Sequence, residues 1–149
     1  MKTLANEDDV REIRRRMQTL KADDRAVWGL MSVAEMICHV REAFALGIGE
    51  WTATPVKGPL PGPVIKWLAL WAPMRWPQNV PTVPELKKGN APPPKEFAED
   101  LASALAAMEK FVSAKDNRTV HAIFGSMKPA DWMRWGYLHT DHHLRQFGR

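Results

Sequence analysis

Apolar residues recur at three- and four-residue steps in four stretches of this chain, and each stretch reads as one face of an α-helix. In the first, Val10, Ile13, Met17 and Leu20 form the stripe. Asn6 stands ahead of it as a cap. Glu7, Asp8 and Asp9 fill the first turn, where carboxylates meet the positive end of the helix dipole. Lys21 to Arg25 is the turn that follows, and Trp28, Leu30 and Met31 pack near the entry to the second helix. That helix opens on Ser32-Val-Ala-Glu35, a capping box, and runs from about Val33 to Ile48. Val33, Met36, Ile37, Val40 and Phe44 supply its apolar face, and His39 borders that face. The third stretch begins at Pro94 and carries Phe97, Leu101, Leu105, Met108 and Val112. Residues 115–118 end it, and His121 to Lys128 form a connector. The last helix spans about Pro129 to Gln146.

Residues 49–95 break the pattern. Eleven of the twelve prolines lie between Pro55 and Pro94. Proline removes a backbone donor and fixes φ, so no long helix or central strand runs through this segment. One short helix fits around Pro63–Trp71. Trp51, Trp67, Trp71 and Trp76 are too many large apolar rings for a disordered linker, so the segment reads as a long, ordered excursion. Such excursions often cover a functional site. Trp67 and Trp71, four apart, fit three uses: covering a pocket, meeting a second subunit or, third in order, resting on a membrane surface. The pattern predicts an all-α fold. Four main helices form a four-helix bundle with a long proline- and tryptophan-rich crossover, residues 50–95, between the second and third. No strand and no internal repeat is expected.

Length and charge narrow the setting. A chain of 149 residues is one domain by size, residues 1–149, with room for a hydrophobic core. Lys and Arg number 21 against 17 Asp and Glu, a net of +4. The excess is spread evenly along the chain. Without a basic stripe interleaved with aromatics, no nucleic-acid partner is expected. Arg14-Arg15-Arg16, the one dense basic run, splays around a helix and reads as solvated surface. The single cysteine, Cys38, excludes an internal disulfide and a Cys-based zinc site, and fits a reducing cytoplasm. The first ten residues become charged at once and hold no apolar signal core. The strongest apolar run, Val64 to Ala72, is half the length of a bilayer span, so no transmembrane segment is expected.

Three of the five histidines fall within the run His139-Thr-Asp-His142-His143. His139 and His143 are four apart, so a helix sets both imidazoles on one face, one turn apart. That is the spacing by which a helix gives two nitrogen ligands to one metal. His39, on the second helix, is the candidate third ligand. Three imidazoles with positions left open would make a reactive site rather than a closed structural one. Trp132, Trp135, Gly136, His139 and His143 form a rough stripe, so the histidine face is the buried face. At Gly136 the missing side chain leaves room for a ligand or a neighbouring helix. His142 points about 100° from His143 and is expected outside the site, bonded to a neighbouring helix. Asp141 is expected to face solvent. Core or surface histidines remain the competing reading, and spacing alone does not choose between them.

Other chemistry is thinner. Cys38 reads as a small buried apolar residue rather than a nucleophile. Glu42, three after His39, fits either a plain surface carboxylate or a partner that orients the His39 ring. Arg145 and Gln146 fit helix-end hydrogen bonds or a contact to an anionic or polar ligand. His121 lies in a loop with no visible partner. No glycine-rich phosphate loop and no Ser-His-Asp arrangement is present.

The closing run Trp132 to Gly148, with His139, three residues, His143 and then Arg145 and Gln146, resembles the closing motif of the DinB/YfiT-like superfamily. Ser32-Val-Ala-Glu-Met-Ile-Cys-His39 resembles that family's second helix, and Phe124 to Trp132 resembles a small, uncharacterised branch of it. The resemblance covers about two-thirds of the chain and touches the proline-rich middle only loosely. It implies a four-helix bundle, often a homodimer, with a divalent metal on three histidines. By position these are His39, His139 and His143. Zinc or nickel is the expected metal. Relatives of known activity include metal-dependent transferases and an isomerase that use low-molecular-weight thiols. Three readings of function follow. The first is a thiol transferase with Arg145 helping to hold the thiol's carboxylates. The second is a metal-dependent hydrolase with Glu42 or Glu109 as proton acceptor. The third is a non-catalytic bundle that binds a metal or small molecule, or serves as a dimer.

Overall fold

A computed structural model describes residues 1–57, 60–80, 82–87, 92–114 and 120–149. Among these residues the chain is all-helical, with five α-helices and no strand: α1 Glu7–Gln18, α2 Val33–Gly47, α3 Gly62–Leu70, α4 Phe97–Ser113 and α5 Pro129–Gln146. A 3-10 turn, Pro84–Leu86, lies between α3 and α4.

The caps set the helix starts. The Asn6 side chain accepts from the backbone N–H groups of Asp8 and Asp9, two donors that the first turn of α1 leaves unpaired. Ser32 Oγ accepts from Glu35 N while Glu35 Oε2 accepts from Ser32 N at 2.7 Å, which closes the capping box of α2. α4 begins at Phe97, three residues after Pro94. Pro94 precedes the helix rather than opening it, and the Glu96 side chain caps it by accepting from Glu99 N. The turn expected at residues 115–118 lies outside the described residues. α5 starts at Pro129, where proline's missing N–H costs no intrahelical bond.

α2 packs chiefly against α4 and α1 against α5, with α2 also on α5 and α1 on α4. Ile13, Phe44, Met108, Phe111 and Trp132 are fully buried between them. Burying each such side chain contributes roughly 1.5–3 kcal/mol. Phe111 is the wedge of this core. A Cβ added at Gly47 of α2 would lie 2.6 Å from its ring, and one at Gly136 of α5 would lie 2.8 Å from it. Gly136 therefore makes room for Phe111 of α4 and for Leu4, not for a ligand.

The proline-rich segment is tied to the helices by tryptophans. Trp51 Nε1 donates to Glu42 O at 3.2 Å, Trp71 Nε1 to Asp131 Oδ1 at 3.0 Å and Trp76 Nε1 to Ala69 O at 2.7 Å. The basic run of α1 is only partly solvated. Arg14 pairs with Glu109 at 2.6 Å, and Arg16 pairs with Asp141 of α5 at 2.8 Å. Asp141 is therefore an interhelical partner. None of the described helices is long and apolar enough to cross a membrane.

Candidate metal centre

His39 lies on the buried face of α2, and His139 and His143 lie one turn apart on α5. The packing of α2 on α5 brings the three rings together across 100 residues of sequence. Ring centroids stand 4.5 Å apart for His39 and His143, 4.7 Å for His139 and His143, and 5.2 Å for His39 and His139. One nitrogen from each ring falls within 4.8 Å of the others, so the three could hold one metal ion.

The donor chemistry fits a metal. His39 Nδ1 lies 3.3 Å from the Leu86 carbonyl oxygen, which only accepts, so the proton sits on Nδ1 and Nε2 keeps its lone pair. His143 Nδ1 likewise donates to Gln146 Oε1 at 2.9 Å. Outer hydrogen bonds of this kind set the tautomer and orientation of metal-bound histidines. His39 Nε2 and His139 Nε2 are 3.2 Å apart. Two nitrogens bonded to one zinc at about 2.0–2.1 Å in a tetrahedral set stand roughly 3.3 Å apart. Burial pushes the His39 ring down to about 4. Burial, then the neighbouring rings, holds His139 and His143 well below the ordinary histidine range. All three are neutral at pH 7, the form that binds a metal.

The trio opens on a cavity of about 270 Å³. Trp28 to Met31 form one wall, and the proline-rich segment forms another with Trp76, Val80, Leu86 and Lys87. The excursion does line the site, but through Trp76, whose ring lies 6.4 Å from that of His139. Trp67 is exposed and Trp71 is bonded to Asp131, and neither lines the cavity.

His142 departs from its expected place. It is buried, it lines the same cavity, and its Nδ1 has no hydrogen-bond partner among the described residues. The 100° offset from His143 carries it along the cavity wall instead of away from it. Arg145 binds Asp141 at 2.9 Å and does not line the cavity. Glu42 pairs with Arg41 and Glu109 with Arg14, and neither is a cavity wall. Cys38 is buried and free, and burial pushes its thiol up, away from the reactive thiolate. His121 is buried, stacked on Phe124 at 4.3 Å, and its Nδ1 accepts from Ile123 N and Phe124 N at 3.2 Å.

The family profile of the DinB superfamily matches residues 3–147, nearly the whole chain. The chain belongs to the DinB superfamily. Neither a curated protein nor a solved structure matches it.

Proposed function

We propose that this protein is a divalent-metal-dependent enzyme that acts on a low-molecular-weight thiol as a transferase. The observation that carries the reading is the set of three neutral imidazoles opening on a cavity without a carboxylate on its described walls. Hydrolysis through activated water calls for a positioned proton acceptor, and both glutamates considered for it are engaged elsewhere. A thiol needs only to lose its proton and be held.

His39, His139 and His143 would hold the ion, with zinc or nickel suited to the imidazole set. When bound, a divalent ion supplies the positive charge that lowers a thiol's pKa and favours the nucleophilic thiolate. The chain's own residues do the rest. Leu86 O and Gln146 Oε1 hold the His39 and His143 rings in one tautomer. Trp28 and Trp76 give the walls apolar surface beside the histidines, which lowers the local dielectric and strengthens charge interactions there. Lys87, an exposed residue, adds a cation to the cavity lining.

In this reading residues 1–149 form one domain. α1, α2, α4 and α5 are its four-helix bundle, and residues 50–95 are the crossover. Exposed Val64 and Trp67 on α3 support a homodimer, and the lone buried thiol supports a cytoplasmic setting.

The test is calorimetric titration of the metal-loaded protein with 2-mercaptoethanol, cysteine and glutathione. Saturable binding of at least one thiol, lost in His139→Ala/His143→Ala, is the expected result. Stoichiometric metal with no affinity for any thiol contradicts the reading.

A further inference from the structure

The cavity over the three histidines carries more recognition chemistry than a metal requires. Its volume of about 270 Å³ lies just below the usual range for ligand pockets, which suits a small ligand. Its first rim is anchored where Val27 N donates to Gln146 O at 2.8 Å. Its second rim is anchored by Trp76, whose indole N–H is bonded to Ala69 O. Both rims are therefore tied down before any ligand arrives.

Between them lies His142, with its ring 4.8 Å from Trp28 and 5.8 Å from Trp76. It is only 5% exposed, and its Nδ1 has no partner among the described residues. Folded chains rarely leave a buried imidazole nitrogen unpaired, because its desolvation goes uncompensated. A ligand's polar group is the natural partner. Charge adds a second, independent constraint. Among the described residues that line the cavity, Lys87 is the one that is formally charged, and none is a carboxylate. Lys87 has no ion pair among the described residues. The one formal charge on the described lining is therefore positive, and a bound divalent ion would add to it.

We infer that the cavity takes a small anion with a flat apolar body: its charge toward Lys87, its body against Trp28 and Trp76, and a hydrogen bond from its polar group to His142. This deepens the metal-enzyme reading, on which it rests, by naming the class of small molecule that the site accepts. His142 acts as a positioning residue and is not a metal ligand.

The test uses four probes on the full-length, metal-loaded protein, read by tryptophan fluorescence and calorimetry. They are phenylacetate, phenylacetamide, phenethylamine and acetate. Phenylacetate is expected to bind at least ten times more tightly than the amide, the amine or acetate. Lys87→Met, a surface change that the fold tolerates, should erase the advantage over the amide. His142→Phe, which keeps a flat ring but no nitrogen, should weaken phenylacetate several-fold with metal content unchanged. Equal binding of phenylacetate and phenethylamine overturns the inference. So does wild-type affinity for phenylacetate in both variants. Bound metal without anion preference sinks this inference alone. A Lys87-dependent preference in protein that takes up no metal supports the anion cavity and sinks the metal reading instead.

Discussion

Gln146 holds His143, three residues back on the same helix, by accepting from its Nδ1 at 2.9 Å. Gly29 guards that arrangement. Its φ is +89°, and an added Cβ would stand 2.1 Å from Gln146 Nε2. Replacing Gln146 with Leu should cost 10–100-fold in metal affinity, the usual effect of losing an outer hydrogen bond. Chelator-competition titration measures this, and unchanged affinity would remove Gln146 from the site. The sequence offered Gln146 for a helix-end hydrogen bond or for a contact to a ligand, and its bond to His143 was neither of these. The Leu86 carbonyl left no trace there, because any residue supplies a backbone oxygen.

At the same scale, His121 sets a pH dependence. Burial lowers its ring from 6.5 to about 4. The unfolded chain takes up a proton below pH 6.5, and the folded one only below about 4. Its contribution is therefore constant above pH 6.5 and is lost as pH falls from there toward 4, on the order of 3 kcal/mol in all. In His121→Asn the side-chain oxygen can replace the Nδ1 acceptor and does not titrate. Urea unfolding from pH 7 to pH 4 should show a shallower decline in the variant than in the wild type. Parallel curves would contradict this. The sequence placed His121 in a loop but could not reveal its burial, which comes from its stack on Phe124 and its contact with Trp135 at 5.4 Å.

Among the elements, helix starts were the most legible feature, because capping is a local transaction between neighbours. Asn6 and Ser32 cap where their spacing to Asp9 and Glu35 places them. α3 was legible too, since the prolines leave room for one short helix. Helix contacts were not. Nothing in the apolar stripe of α4 says that Phe111 enters the space left by Gly47 and Gly136. Gly136→Val would press its Cβ against the Phe111 ring and Leu4, at 2.8 and 2.9 Å before any adjustment. The expected cost is about 3 kcal/mol by overpacking, read as a lower urea midpoint at unchanged slope. A wild-type midpoint would show that Phe111 has room to move. The segment between α3 and α4 was the least legible. Which of its tryptophans meets the site depends on the Trp76–Ala69 bond, a contact that no periodicity encodes.

At the scale of the whole molecule, function depends on two helices far apart in sequence becoming neighbours. The run at His139 and His143 marked one half of the site, His39 beside the apolar face of the second helix was the candidate for the other, and the family resemblance fell on the same three. The packing of α2 on α5 joins them and adds what neither half announces: a cavity walled by Trp28, Trp76 and Lys87, with His142 inside it. His142 stays out of the three-histidine group, as its helical angle indicated, but it lines the cavity, which spans more than one face of α5. The measurement that bears most directly on this account is elemental analysis of untagged protein beside His139→Ala/His143→Ala. The account predicts about one divalent ion per chain in the wild type and none in the variant. A wild type that stays free of metal after reconstitution, or a variant that keeps its full complement, would contradict it.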